Sequence, residues 1–185
     1  MAKTYDDAIV ARLLNPHRKE FEDPDSFLLL LLKKKDVAAE LGAGPGYYTK
    51  HIVKHVAKLY AVDKNSGFVK YAKRTVRSNK IIFLEEDSSR TSIPSKSVDV
   101  VILANAFHDM DREATKTEIY RILKSNGRVI IVDWRKTGSE NGPPLRLRMD
   151  VEDYLNCFSK LSAKVHFEVG PFHYGIVLGQ TPPCE

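Results

Sequence analysis

The sequence is poor in cysteine and has no long hydrophobic run. Cys157 and Cys184 are the only cysteines among 185 residues. Two are too few for a disulfide framework or a four-cysteine zinc site, and they fit a reducing compartment. The longest apolar run, Phe27 to Leu32, has six residues, whereas a membrane-spanning helix needs about 20. The first residues, MAKTYDDAIV, show no basic segment followed by an apolar one, so no signal peptide is expected. We therefore expect a cytoplasmic protein without a membrane span.

Motifs of two hydrolase classes are also missing. No G-x-S-x-G segment occurs, so a serine nucleophile on a strand-to-helix elbow is not expected. His51 and His55 have the spacing of two zinc ligands on one helix face, but Ile52 stands where a zinc protease has glutamate. We expect no metal site. The composition, 43% hydrophobic and 29% charged, is that of one ordinary folded domain.

Positive charge is concentrated in one stretch. The chain has a net charge of +5, and nine basic residues accompany a single acid, Asp63, between Lys50 and Lys80. Such a face could attract RNA or another polyanion. The favoured interpretation is the solvated outer face of two helices, because no aromatic residues alternate with the charges.

Short apolar strands alternate with amphipathic helices along the chain. Seven strands are predicted, at Asp36–Leu41, Leu59–Val62, Ile81–Leu84, Val98–Leu103, Arg128–Asp133, Val165–Val169 and Tyr174–Leu178. Alternation of this kind predicts an α/β fold. We expect a Rossmann-like, doubly wound, seven-stranded and mostly parallel sheet with an antiparallel C-terminal strand and helices on both faces. A ligand site should lie beyond the carboxyl ends of the strands.

Helix boundaries are predicted from capping residues and from periodicity. Asp23-Pro24 should start a helix that carries Phe27 to Leu32, and Asn126-Gly127 should stop a later one in the left-handed conformation. The other predicted helices are Tyr47–Ala57, Ser66–Ser78, Arg112–Leu123 and Val151–Leu161.

A glycine-rich turn after the first strand is the most informative segment. Gly42, Gly44 and Gly46 let the backbone turn tightly and approach a ligand closely. Asp63 ends the next strand, where a carboxylate can accept hydrogen bonds from two ribose hydroxyls. A nucleoside-containing cofactor is therefore expected.

Two residues around this turn argue against a dinucleotide. Tyr47 stands where a G-x-G-x-x-G fingerprint has its third glycine. Glu40, two residues before the turn, would repel a pyrophosphate but attract an ammonium or a sulfonium. The turn suits a cationic nucleoside without phosphates.

In these features the sequence resembles the class I S-adenosylmethionine-dependent methyltransferases. More narrowly, it is similar to the type 11 family, which includes ubiquinone- and menaquinone-biosynthesis methyltransferases. The resemblance covers most of the chain. Its segments, besides the glycine turn, are Leu14–Arg18, Ser97–Val101, Asn105–Asp109, Arg121–Arg128, Asp133–Lys136, Gly142–Pro144 and His173-Tyr174.

The resemblance implies a set of cofactor contacts. Glu40 would lie near the methionine amino group, and Gly42, Ala43, Gly44 and Gly46 would wrap the methionine and ribose portion. Further contacts would come from Asp63 to the ribose, from Lys64 over the adenine, from Asp87 and the Ser88 backbone to the adenine amino group, and from the Asn105 backbone to the methionine amino group. One departure concerns the six residues between Asp87 and Pro94, a longer spacing than is usual in the family.

The resemblance also implies a division of the chain. A helical cap would occupy residues 1–35, and the cofactor-binding core would occupy residues 36–135. An acceptor-side loop, a helix and closing strands would occupy residues 136–185, all within a single methyltransferase domain.

His108 and Asp109 follow the fourth predicted strand and are the first catalytic candidates. A histidine there titrates near neutral pH and can take a proton from an acceptor. Asp109 could orient it or cap the next helix, and His108 could instead only pack on the cofactor. The further candidates for the acceptor pocket are Asp133, Trp134, Arg146, Arg148, His173 and Tyr174.

A small-molecule methyl acceptor is expected, with S-adenosylmethionine converted to S-adenosylhomocysteine. Enzymes that methylate exocyclic amines carry an Asn/Asp-Pro-Pro-Tyr/Phe block, whereas this chain has Asn105-Ala106-Phe107-His108. The alternatives are an RNA or protein methyltransferase that uses the basic face at residues 50–80, and a nicotinamide-dependent oxidoreductase. The sequence leaves the oligomeric state open.

Overall fold

The computed structural model describes residues 7–137 and 142–180 of the chain. Among these residues, seven strands form one sheet in the order β3-β2-β1-β4-β5-β7-β6. The strands are β1 Val37–Leu41, β2 Lys58–Asp63, β3 Ile81–Glu85, β4 Val98–Ala104, β5 Leu123–Trp134, β6 Leu161–Val169 and β7 His173–Gln180. Neighbours from β3 to β5 pair in parallel, and β7 runs antiparallel to both β5 and β6. The predicted fold class is confirmed.

Six α-helices connect or cover the strands. They are α1 Asp7–Leu13, α2 Asp25–Leu31, α3 Thr49–Ile52, α4 Ser66–Thr75, α5 Arg112–Ile122 and α6 Val151–Cys157. Short 3-10 helices lie at Pro16–Glu20, Phe107–Asp109 and Leu145–Leu147. None of the helices among the described residues is long and apolar enough to cross a membrane.

Side chains near the helix ends fix where several helices begin. Asp23 accepts the backbone N–H of Asp25 at the start of α2, at the predicted Asp-Pro step. Asn65 accepts two backbone N–H groups at the start of α4. Asp150 and Asp153 form a reciprocal capping box on α6. Each cap satisfies N–H groups that a helix cannot bond internally.

Hydrophobic side chains fill both faces of the sheet. On one face, α5 packs through Ile119 and Ile122, α6 through Tyr154, and Phe158 just after α6, all against alternate residues of the central strands. On the other face, α2 and α3 pack against the intervening residues. Strand β4 is therefore almost wholly buried, as a central parallel strand covered by helices should be.

The predicted stop of α5 at Asn126-Gly127 is wrong. The helix ends at Ile122, and Leu123 already has extended backbone angles as the first residue of β5. Residues 124–127 form an irregularity in the pairing with β4, whose register passes from Leu123 to Arg128. A Cβ on Gly127 would lie 2.6 Å from Leu123 Cδ1. The glycine therefore serves close packing in a bulge and not a helix stop.

Three other predicted segments differ from the structure. The helix predicted over Val151–Leu161 ends at Cys157, and Leu161 is the first residue of β6. The helix predicted over Tyr47–Ala57 is reduced to Thr49–Ile52, and tight turns follow it in which N–H groups bond carbonyls three residues back. The apolar run that α2 was expected to carry is split, since Leu29 and Leu30 are exposed. The predicted 1–35, 36–135 and 136–185 divisions include residues 1–6, 138–141 and 181–185, which lie outside the described residues, as does Cys184.

Candidate active site

A cleft of about 350 Å³ opens at the carboxyl ends of β1, β2 and β4. Nine of the ten predicted cofactor-binding residues line it, namely Glu40, Gly42, Ala43, Gly44, Asp63, Lys64, Asp87, Ser88 and Asn105. The structure thus brings together residues that are up to 65 positions apart in sequence. Gly46 is the exception: a Cβ there would lie 3.1 Å from Val76 and 3.4 Å from Ala72. Gly46 instead lies where the glycine turn packs against α4.

Backbone geometry explains the first two glycines of the turn. Gly42 and Gly44 have φ angles of +78° and +54°, in the left-handed region that side chains with a Cβ rarely adopt. A Cβ on Gly42 would lie 2.6 Å from Ala106 Cβ, so this position must let the turn approach the segment after β4. A Cβ on Gly44 would meet no atom within 4 Å. Gly44 therefore presents bare backbone to the open cleft.

Asp63 holds the turn in place from the end of β2. Its Oδ2 accepts the backbone N–H of Gly44 at 2.7 Å, and its Oδ1 accepts that of Asn65 at 2.8 Å. Burial raises the pKa of Asp63, against the lowering effect of these two hydrogen bonds and of the Lys64 charge. The carboxylate is therefore partly desolvated at the edge of the cleft.

Glu40 is a second desolvated acid in the cleft. It is only 2% exposed, and its Oε2 accepts the Thr49 hydroxyl at 2.6 Å. Burial raises its pKa to about 8, and the nearby charge of Asp63 adds to the effect. No Lys, Arg or His of the described residues forms an ion pair with Glu40 within 4.0 Å. A cationic ligand would relieve the cost of ionising this buried acid.

The longer segment after Asp87 is firmly anchored. Glu118 Oε1 accepts the backbone N–H and the hydroxyl of Thr91, and Arg121 donates to the carbonyls of Thr91 and Ile93. Asp87 itself is exposed and accepts two hydrogen bonds from Ser89, which lower its pKa. The unusual spacing therefore leaves Asp87 and Ser88 on the wall of the cleft.

Glu22 is a site residue that sequence reasoning missed. Its carboxylate is 1% exposed and pairs with Arg18 at 2.6 Å. It also accepts hydrogen bonds of 2.5 Å from the Tyr48 hydroxyl and from Asn105 Nδ2. The i,i+4 spacing of Arg18 and Glu22 is the one local signal that could have indicated this pair.

Asn105 is held in an unusual backbone conformation by this network. Its φ is +52°, a left-handed value that asparagine tolerates better than most residues. Its N–H donates to the carbonyl of Val132 on β5. The strained turn aims the segment after β4 along the cleft.

His108 lies behind the cleft wall and contacts two acids. Its Nδ1 is 3.2 Å from Asp133 Oδ1, and its Nε2 is 3.5 Å from Asp109 Oδ2. Burial lowers the pKa of His108, but the hydrogen bond and charge of Asp133 outweigh burial, so that the pKa is raised. Asp109 and Met110 line the cleft, whereas the His108 ring is buried beside it.

Asp133 fixes one side of the imidazole. It was expected in the acceptor pocket, but it is buried and its Oδ2 accepts the Tyr154 hydroxyl at 2.5 Å. Its Oδ1 also accepts the Trp134 N–H at 2.8 Å. The sequence predicts Asp109 as the orienting partner of His108. The structure shows a second acid, the buried Asp133, beside the other ring nitrogen.

The other residues expected in the acceptor pocket are mostly structural. Arg148 is buried and donates to three backbone carbonyls, of Arg135, Thr137 and Pro143. The Tyr174 hydroxyl donates to the carbonyl of Met149. His173 is fully buried beside the Trp134 ring, and Arg146 is exposed.

The basic stretch forms an exposed surface. Most of its lysines and arginines are exposed, on α3, on α4 and in the segment after α4. Lys54 pairs with Asp25, and Lys80 Nζ donates to the Val56 carbonyl. These contacts fit a solvated helix face.

Comparisons with known proteins bear on the family and the fold. A family model described as a methyltransferase domain matches residues 39–131. A crystal structure described as a type 11 methyltransferase from Sulfolobus solfataricus is 38% identical, covers 89% of this chain and 96% of that chain, and has a TM-score of 0.80. A methyltransferase dependent on S-adenosylmethionine from Aquifex aeolicus shares the fold, with 24% identity, coverage of 96% and 100%, and a TM-score of 0.86.

Curated proteins match over shorter stretches. A Dictyostelium discoideum protein described as a methyltransferase is 28% identical over 99 residues, which are 54% of this chain and 36% of that protein. The chain spans between 32% and 40% of the length of the first curated relatives that it matches.

Proposed function

Because the chain belongs to the type 11 family of S-adenosylmethionine-dependent methyltransferases, we propose that it transfers a methyl group to a small-molecule acceptor. The observation that carries this proposal is the pair of desolvated carboxylates, Glu40 and Asp63, which line the same cleft as the bare Gly44 backbone. A cleft of this kind favours a cationic nucleoside.

The residues present suit the cofactor at both of its ends. Asp63 retains acceptor capacity for the ribose hydroxyls, beyond the two backbone N–H groups that it already binds. Asp87 and the Ser88 backbone would take the adenine amino group, with Lys64 over the ring. Glu40, with the backbones of Gly42, Ala43 and Asn105, would take the methionine amino group. Gly46 would support this arrangement through α4.

Bound S-adenosylmethionine supplies an electrophilic methyl group already activated by its sulfonium. The protein's task is then to align the acceptor with that carbon and to exclude water. The glycine turn and the segment after β4 pack closely at Gly42 and both line the cleft, where Met110 adds an apolar surface.

His108 would take the proton when the acceptor is a hydroxyl or an ammonium. Asp133 would orient the ring through Nδ1 and stabilise the imidazolium that forms, while Nε2 would serve the acceptor beside Asp109. Tyr154 would in turn fix Asp133.

The size of the cleft favours a small acceptor. Its volume is about 350 Å³. Residues of the segment that contains α1 and the 3-10 helix Pro16–Glu20, and residues of the segment after β4, complete its lining.

Two experiments test the cofactor and the acceptor class. Calorimetry should give micromolar binding of S-adenosylmethionine and S-adenosylhomocysteine, and no binding of NADH. Cell extract incubated with the protein and methyl-labelled cofactor should place label in the metabolite fraction. Label in RNA or protein would favour the basic face at residues 50–80 as an acceptor surface. Absence of heat with either nucleoside would refute the proposal.

A further inference from the structure

We propose that Arg18 binds the carboxylate at the amino-acid end of the cofactor, an inference that rests on the proposed function. Arg18 belongs to the 3-10 helix Pro16–Glu20 and lines the cleft together with Tyr47 and Tyr48. A segment N-terminal to the sheet would thereby complete a site that is otherwise built from the strand ends.

Hydrogen bonds hold the guanidinium of Arg18 but use only some of its N–H donors. Its Nε donates to Glu22 at 2.6 Å, and Nη1 donates to the Leu13 carbonyl at 2.9 Å. Its Cζ lies 4.1 Å from the centroid of the Tyr47 ring, a distance that favours a cation–π contact. Within the described residues, Nη2 has no hydrogen-bond partner and is not sealed from the cleft. This nitrogen can therefore bind a ligand without breaking an existing contact.

Glu22 positions Arg18 and keeps it charged. The carboxylate is buried and also receives the Tyr48 hydroxyl and the Asn105 amide. Burial alone would lower the pKa of Arg18, but the charge and hydrogen bond of Glu22 raise it. A rigid, fully charged guanidinium beside the cleft suits a carboxylate, which arginine can bind with two parallel N–H groups.

Few basic residues line the cleft that could bind the carboxylate of the ligand. Among the described residues that line it are five acids, Glu40, Asp63, Asp87, Asp109 and Asp111, and two bases, Arg18 and Lys64. Lys64 follows Asp63 at the end of β2, where the ribose and adenine are expected. Arg18 is linked through Glu22 to Asn105, which follows β4. The amino acid's ammonium would then face Glu40 and its carboxylate would face Arg18.

A pair of ligands separates this role from a structural one. S-adenosylhomocysteine has the amino-acid end, whereas 5′-methylthioadenosine lacks it but retains the nucleoside. Arg18→Gln should lower the affinity for S-adenosylhomocysteine by about 10- to 100-fold, the range for a hydrogen bond to a charged group. Its affinity for methylthioadenosine should change by less than about threefold. Calorimetry with both ligands gives both values.

Two further variants make the test decisive. Lys19→Gln removes an exposed charge from the same 3-10 helix and should change neither affinity. Arg18→Lys keeps the charge but not the planar fork, so it should weaken S-adenosylhomocysteine less than Arg18→Gln does. If Arg18→Gln does not fold in a thermal melt, Arg18→Lys alone decides, since selective weakening of S-adenosylhomocysteine is still expected.

Equal losses for the two ligands would overturn the inference and assign Arg18 a structural role. Unchanged affinity for S-adenosylhomocysteine would overturn it as well. In both cases the wild-type protein still binds the nucleoside, so the proposed function stands. If the wild-type protein binds neither ligand, the proposed function itself has failed.

Discussion

Asp63 and Gly44 are joined by a hydrogen bond of 2.7 Å from the Gly44 N–H to Oδ2, which ties the end of β2 to the turn after β1. One carboxylate therefore both shapes the turn and faces the cleft. Asp63→Ala should remove the ribose acceptor and loosen the turn, so that binding of S-adenosylhomocysteine falls by at least about 100-fold, as expected when two hydrogen bonds to a charged group are lost. Calorimetry at micromolar protein should show no measurable heat.

Asp87→Ala is the matched control for this variant. Asp87 also lines the cleft, but it is exposed and does not shape the glycine turn. Its removal should cost about tenfold or less, because an exposed hydrogen bond contributes less than a desolvated one. Comparable losses in the two variants would contradict the special place given to Asp63.

Glu40 should make cofactor binding depend on pH. Burial raises its pKa to about 8, so the ligand-free carboxyl is mainly protonated at pH 6, whereas a bound ammonium favours the ionised form. Binding should therefore release a proton, and affinity should rise from pH 6 to pH 8 by up to about tenfold per pH unit. Calorimetry in buffers of different ionisation enthalpy measures the released proton. Glu40→Gln should abolish the release, and an unchanged release would contradict this role.

The same acid should affect the stability of the ligand-free protein. Its pKa in the folded state, about 8, exceeds the ordinary value of 4.5, so its stabilising contribution is complete below pH 4.5 and is lost as the pH rises through 8. The Tm of the wild-type protein should fall more between pH 5 and pH 8 than that of Glu40→Gln. Saturating S-adenosylhomocysteine should reduce the difference between the two proteins.

The sheet could be predicted because its signals are local. Each central strand is a short apolar run between a helix and a polar turn, and β4 is buried on both faces as its composition indicates. The end of α5 could not be predicted in the same way. Asn126-Gly127 is a common helix stop, but here the pairing of Leu123 and Arg128 with β4 draws these residues into a bulge. Tertiary pairing outweighed the local preference.

The candidate site shows the same difference between local and long-range signals. The glycine turn, Glu40 and Asp63 could be found from the sequence because each adjoins the end of a predicted strand. Glu22 is harder to find, since its hydrogen-bond partners Tyr48 and Asn105 are 26 and 83 residues away and only its spacing from Arg18 is a local signal. Asp133 was assigned to the pocket because strand ends usually face it, whereas the structure turns the side chain toward His108 and Tyr154.

Asp133 should control the titration of His108. Burial lowers the pKa of this histidine, and the hydrogen bond and charge of Asp133 are the largest effects that raise it, ahead of the charge of Asp109. Asp133→Asn should therefore bring the pKa of His108 below its ordinary value of 6.5. The ring C–H resonances, assigned by comparison with His108→Gln, report the change in an NMR titration without any knowledge of the acceptor.

Asp109→Asn is the control for this titration. Asp109 is exposed and lies 3.5 Å from Nε2, so its loss should lower the pKa of His108 less than the loss of Asp133. Once an acceptor is known, His108→Gln should reduce kcat by about 10²- to 10⁴-fold, the usual contribution of a general base. A larger pKa change in Asp109→Asn than in Asp133→Asn would reverse the assigned roles.

Gly42 and Gly44 should respond differently to the same substitution. Both have left-handed φ angles, +78° and +54°, so alanine costs about 1–2 kcal/mol of backbone strain at either position. At Gly42 the added methyl would also lie 2.6 Å from Ala106 Cβ and 2.8 Å from Met110 Cε. Overpacking of this kind typically costs about 1–3 kcal/mol more. Gly42→Ala should therefore be clearly less stable than Gly44→Ala in urea unfolding.

For ligand binding, the cleft geometry makes Gly44 the more sensitive position. Its added methyl would meet no protein atom within 4 Å, so it adds no steric clash to the backbone strain, but it would occupy space that the cofactor is expected to fill. Gly44→Ala should bind S-adenosylhomocysteine about tenfold or more weakly, a loss of about 1.4 kcal/mol, while its stability should fall only by the backbone strain of about 1–2 kcal/mol. Backbone strain lowers the stability of the protein, whereas a loss of affinity reports the space that the methyl takes from the ligand. A Gly44→Ala protein with full affinity would therefore show that the ligand does not approach this part of the turn.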